Sequence, residues 1–247
     1  MRHVYRLGIV ATSVALLLVA VQWPVGARAQ QVQSERRIGI DPDGLPLQSG
    51  AMRAADRAQR IALQDQPSLG PLTRLIGVWT GTGIDTVPDG KGGSTRTPFI
   101  QQLTFEPVAQ LTYGAQTVRA LRYSCLDWAT DDTAKPPTMF PVFEENGYFI
   151  WIPEKNSIVL QVSNPRGLSM LASGPPKPDG SFAVTTQGGN GGVLITSYLQ
   201  GFANAVGYET SVEFLTPETF RYANDTLLKL PDGSIFHQTD ITTLKRY

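Results

Sequence analysis

From Leu72 to Tyr247 the chain is cut into short runs by turn residues, with Pro-Asp-Gly recurring at 88–90, 178–180 and 231–233. Proline presets the first bend of such a turn, aspartate bonds back to nearby backbone, and glycine takes the positive φ that closes it. The runs between them are rich in Thr, Val, Ile, Tyr and Phe, and no long amphipathic helix interrupts them. Strands are expected over 75–85, 97–107, 115–128, 142–152, 157–164, 168–173, 180–187, 192–199, 206–215, 218–223, 226–230 and 234–246. Many short strands joined by tight turns form an antiparallel meander, and closure into a barrel removes its exposed edges. The expected fold is therefore all-β, an up-and-down antiparallel barrel of about ten strands. A barrel of that size is too wide for side chains alone to fill, so a ligand cavity is expected inside it.

The N-terminal third reads differently. Arg2 and Arg6 precede an apolar run from Leu7 to Val21, and Ala27-Arg28-Ala29 supplies a small-x-small cleavage pattern. That order is a secretory signal peptide over residues 1–29, which predicts an exported protein, periplasmic or secreted, with no stable membrane anchor after cleavage. Residues 30–50, with Asp41-Pro-Asp-Gly-Leu-Pro46, have the composition of a flexible linker. Met52, Ala55, Ala58 and Ile61 are spaced by three in a stretch without Gly or Pro, which predicts a short helix over 51–66. One barrel domain over 72–247 follows.

Charge and residue counts then narrow the chemistry. Cleavage removes Arg2, Arg6 and Arg28 and no acid, so 21 basic and 21 acidic residues become 18 and 21. The remaining Lys and Arg are scattered rather than clustered, which argues against a nucleic-acid partner. Cys125 is the lone cysteine. It excludes an internal disulfide and stands within an expected strand, where a buried, inert thiol is the natural state. With His3 gone, His237 is the single histidine of the mature chain. A site with two or three histidines is thereby excluded, as is any Ser-His-Asp arrangement built elsewhere. Gly188-Gly-Asn-Gly-Gly192 lacks the Lys-Ser/Thr of a phosphate loop and reads as a hairpin turn. Glu144 and Glu145, as neighbours in a strand, face opposite ways. Tyr208, Tyr222, Met139 and Met170 are candidate metal ligands by type, and packing residues by position.

In the first expected strand, Ile76-Gly-Val-Trp-Thr-Gly-Thr-Gly83, alternation puts Trp79, Gly81 and Gly83 on one face, with the ring placed to plug one end of a barrel. This stretch resembles the G-x-W-x-G-x-G signature of the nitrobindin family, heme-binding β-barrels related to the C-terminal domain of THAP4. Further matches follow in order: Leu103-Thr-Phe-Glu-Pro107, Glu145-Asn-Gly-Tyr148 like the family's E-x-G-Y, Asn164-Pro-Arg-Gly167, and an ending, Phe236 to Arg246, like its final strand.

The resemblance implies heme b bound in the interior through a histidine of the last strand, with some relatives isomerising peroxynitrite or handling nitric oxide. On that basis His237 is the expected iron ligand, with Thr239, Ile241, Trp79 and Thr80 lining the cofactor. Two departures stand against it. Phe143 occupies a position where many relatives carry histidine, and alignment on Leu244 and Arg246 puts Thr239, not His237, at the heme histidine. A metal-free carrier of an apolar small molecule is the alternative reading, and an enzyme, if this is one, would be a heme-dependent peroxynitrite isomerase.

Overall fold

The computed structural model describes residues 38–40, 46–48, 69–108, 111–131, 138–186, 192–201 and 204–247. The expected signal peptide and the helix over 51–66 lie outside the described residues. Within the expected linker, β1 (Ile38–Ile40) pairs antiparallel with β2 (Pro46–Gln48).

The barrel begins after a 3-10 turn, Gly70–Leu75, which is the first described helical segment. Its early strands are β3 (Gly77–Pro88) and β4 (Ser94–Pro107), followed by a small outlying hairpin, β5 (Leu111–Tyr113) with β6 (Gln116–Val118). Next come β7 (Ala120–Asp131), β8 (Thr138–Ile152), β9 (Ser157–Asn164) and β10 (Leu168–Gly174). Last are β11 (Phe182–Thr185), β12 (Gly192–Ile195), β13 (Asn204–Thr216), β14 (Thr219–Lys229) and β15 (Ile235–Arg246). The order around the wall is β11-β13-β14-β15-β3-β4-β7-β8-β9-β10, and β10 closes on β11 through Ser173 and Thr185. That is the closed ten-stranded antiparallel barrel expected from the turn pattern. β12 pairs with the other end of β10, from Leu168 to Leu171, beyond the reach of β11. The two runs expected at 218–223 and 226–230 are one continuous strand, β14.

One end of the barrel is sealed. Leu72 and Leu75 of the 3-10 turn are fully buried, and Trp79 donates its indole N–H to the Leu75 carbonyl at 2.7 Å. Phe220 meets the Trp79 ring edge-on at 4.7 Å, and the Arg246 guanidinium lies over it at 4.1 Å. Arg246 also donates to the Ile76 carbonyl and, at 2.8 Å, to that of Arg74, and it pairs with Glu218 at 2.8 Å. The last strand is thereby tied to the segment that opens the first.

The glycines of β3 have a steric reason. A Cβ on Gly81 would run into the Thr243 carbonyl oxygen of β15, and one on Gly83 would meet Thr242 Oγ1 and, at 2.6 Å, the Phe99 ring. Above the seal, Phe105, Tyr123, Phe149, Phe182 and Phe220 pack at edge-on and tilted angles, with Tyr123 and Phe149 5.4 Å apart and Phe149 and Phe182 5.8 Å apart. The half of the barrel nearest Trp79 is solid.

Candidate functional site: an acidic chamber above an aromatic floor

Strand alternation decides what enters the interior. On β3 the inward residues run Trp79, Gly81, Gly83, Asp85; on β7, Leu121, Tyr123, Cys125, Asp127; on β15, Leu244, Thr242, Asp240, Gln238. In each strand apolar groups near the seal give way to polar ones toward the other end. Asp85, Gln238, Asp240 and Asn224 are half-buried although they face inward, so water reaches this end of the barrel. Deeper down, Gln101, Asp127 and Glu145 are buried.

Phenols form the boundary between core and chamber. Tyr123 Oη donates to Glu145 Oε1 at 3.1 Å and lies 3.0 Å from Tyr222 Oη, a chain of hydrogen bonds that crosses from β8 through β7 to β14. Tyr208 Oη and Thr210 Oγ1 both donate to Asn224 Oδ1, at 3.0 and 2.9 Å. On one wall Asp85 stands directly opposite Asp240, to which it is hydrogen-bonded, and Gln238 also bonds Asp85. On another, Gln101 stands opposite Asp127, bonds its carboxyl, and donates from Nε2 to Cys125 Sγ at 3.5 Å. Cys125 Sγ in turn points at Asp127 Oδ1, 3.4 Å away.

No Lys, Arg or His is among the described residues that face this chamber. Four carboxyls therefore share a poorly hydrated space without a counter-charge, and loss of water raises the pKa of each. Burial pushes Glu145 up to about 8 and Asp127 up to about 7. Asp240 rises to about 9, from burial first and then from the charge of Asp85, and Asp85 is itself raised by burial. Burial also lifts the Tyr123, Tyr208 and Tyr222 phenols and the Cys125 thiol well above their ordinary values, so all four keep their protons near neutrality. The inert thiol expected at Cys125 is what the fold contains.

The residues expected to line a cofactor are not brought together. His237, Thr239 and Ile241 do share one face, but it is the outer face: Leu244 is fully buried, and stepping back by twos reaches Thr242, Asp240 and Gln238. The β14–β15 register runs one-to-one from Thr219 opposite Lys245 to Lys229 opposite Ile235, so no bulge swaps the faces. The expectation that His237 points inward is corrected by that register. Its side chain is 62% exposed, and Nδ1 lies 2.6 Å from Asp225 Oδ2 on the same outer wall. Ile241 is half exposed. Trp79 belongs to the seal, and Thr80 is buried on the face opposite to Trp79. Glu144 and Glu145 diverge as expected, and only Glu145 enters the chamber. A groove of about 790 Å³ runs past Arg122, Tyr148, Gln161 and Leu194 of the outer wall and is also lined by Tyr123 and Met170, and none of the chamber's carboxyls lines it.

Residues 68–246 match the family described as "THAP4-like, heme-binding beta-barrel domain". The chain belongs to that family, whose cofactor is heme. Among solved structures, that of Rv2717c from M. tuberculosis is similar, with a TM-score of 0.55 and 16% identity over 73% of this chain and 98% of that one. The S-type phycobiliprotein lyase CPES from Guillardia theta aligns with a TM-score of 0.45 and 13% identity, over 76% and 96% of the two chains. No curated protein sequence matches. At 16% identity the likeness to Rv2717c speaks for the fold alone.

The donor set of the interior decides whether heme fits there. It presents no imidazole, its phenols and thiol hold their protons, and no three His, Cys, Asp or Glu side chains among the described residues are grouped to hold a metal ion. A histidine-ligated heme does not fit these residues.

Proposed function

We propose that this member of the heme-binding barrel family is an exported binding protein that takes a small ligand into the acidic chamber, without iron held by His237. One observation carries the reading: the barrel is packed solid around Trp79 and Phe149, yet toward the other end its inward positions turn polar and reach water. A fold that only needed stability would fill those positions with apolar side chains, because buried carboxyls destabilise it. The same lining disfavours a wholly apolar cargo. Nitric oxide or peroxynitrite chemistry at iron would need an inward axial ligand, and the strand register points the one histidine of residues 30–247 the other way. Export rests on the N-terminal pattern of Arg2, Arg6, the apolar run and Ala27-Arg28-Ala29. Intact-mass measurement of protein from its native compartment should find a chain beginning at Gln30, and retention of Met1 would refute export.

Hemin titration followed by visible absorption tests the site. Wild-type protein and His237→Ala should give the same trace, with no histidine-dependent Soret shift. A shift present in the wild type and lost in His237→Ala would overturn the reading. A shift kept by His237→Ala and lost in Tyr222→Phe would assign iron to the phenol and overturn it equally.

A further inference from the structure

Among the described residues the chamber holds no positive charge, and two of its acceptor atoms are without partners. Gln101 is 1% exposed and spends its amide nitrogen on Cys125 and its neighbour Asp127, while its carbonyl oxygen, Oε1, is buried with no partner. Asp85 Oδ1, on the next strand, is likewise buried without a partner. A buried acceptor left unmade costs about 1–3 kcal/mol, and such groups are rare unless something else completes them. Further carboxyls stand at this level. Asp127 and Asp240 face in from β7 and β15, and Glu145 closes the bottom.

We propose that the ligand of this chamber is an organic ammonium ion on a compact apolar body. The inference rests on the ligand-binding reading above and names its chemical class. An ammonium brings three N–H donors, one positive charge and no acceptor, which is the complement of two orphaned acceptors among four carboxyls. Its charge would draw protons off Asp127 and Asp240, and each carboxylate so formed would attract it. An anion has no cationic partner in the chamber. A neutral alcohol has one donor and can satisfy only one of the two acceptors. The apolar body has a place too: Phe143 and Phe236 face inward from β8 and β15 and are only partly covered by the core.

Calorimetric titration of the full barrel near neutral pH with phenethylammonium, phenethyl alcohol and hydrocinnamate separates these cases. Phenethylammonium should bind at least about tenfold more tightly than the alcohol, a difference that one charge-assisted hydrogen bond supplies, and hydrocinnamate should not bind. Asp240→Asn should weaken the ammonium about tenfold while leaving the alcohol unchanged, and Gln101→Met should weaken the ammonium about tenfold. Because Asp240 holds its proton in the fold, the amide replacement should keep or raise the melting temperature, so lost binding is not lost folding. Equal affinity for ammonium and alcohol overturns the cation and leaves the binding chamber standing. An ammonium response matched by calcium chloride at equal ionic strength assigns an inorganic ion and overturns the organic class. Binding of none of the three compounds, together with no uptake of an apolar fluorescent probe, overturns the chamber reading and this inference with it.

Discussion

Replacing Glu145 with Gln should make the protein more stable, and by an amount that depends on pH. The side chain is 3% exposed, and burial lifts its pKa from 4.5 to about 8. In the unfolded chain the carboxyl ionises freely above pH 4.5, whereas the fold obliges it to stay protonated until about pH 8. The stability associated with it is therefore intact below the unfolded pKa and is lost progressively as pH rises toward the folded one. At pH 7 the gap from the unfolded pKa is about 2.5 pH units, or about 3 kcal/mol at 1.36 kcal/mol per unit; at pH 5 it is under about 1 kcal/mol. Glutamine keeps a carbonyl oxygen where Tyr123 Oη donates, but carries no proton to titrate. Urea unfolding followed by tryptophan fluorescence should show Glu145→Gln gaining about 2–3 kcal/mol more over wild type near pH 7 than near pH 5. An equal effect at the two pH values, or a loss at pH 7, would refute the claim that this carboxyl is held neutral by the chamber.

Two further substitutions probe the frame that holds the chamber. Gly81→Ala should lower stability by about 1–3 kcal/mol or prevent folding, because its Cβ would collide with the Thr243 carbonyl, which thermal melting would detect. Arg246→Ala removes the cation over Trp79, the bonds to the Ile76 and Arg74 carbonyls and the pair with Glu218, and should cost about 2–4 kcal/mol in denaturant unfolding. Arg246→Lys, which cannot fork to two carbonyls, should recover only part of that loss.

The wall of this barrel was legible because turns and alternation are local. Pro-Asp-Gly sequences and β-rich runs place most strands within a few residues of where they lie. The expected break at 224–225 failed for an instructive reason. Asn224-Asp225 looks like a turn, but Asn224 faces inward to accept from Tyr208 and Thr210, while Asp225 faces outward to His237. Partners on other strands rescued a dipeptide that local chemistry would have bent. The face that His237 occupies was not legible, for the complementary reason. His237 stands out as the single histidine of the mature chain, but it and Thr239 lie seven and five residues before the buried, inward Leu244. In a strand, an odd step reverses inside and outside. Leu244 was the available anchor: counting by twos from a buried residue near Trp79 yields Asp240 and Gln238, and the same count from Trp79 yields Asp85.

That outcome separates what the family's motifs encode from what the ligand requires. Trp79 holds the seal, Gly81 and Gly83 let β15 approach β3, and a Cβ on Gly147 would collide with the Gln161 carbonyl of β9. Arg246 ties the last strand to the first. These are conditions for closing a ten-stranded barrel around a solid floor, and they hold whatever occupies the other half. The inward positions above the floor are under no such constraint, since a side chain there meets other side chains and water rather than backbone. Asp85, Gln101, Asp127 and Asp240 can therefore depart from a heme-compatible lining without disturbing the seal. Family membership predicts the wall of this protein well and its ligand only through those inward residues, which here present acceptors where a histidine-ligated heme would need an imidazole.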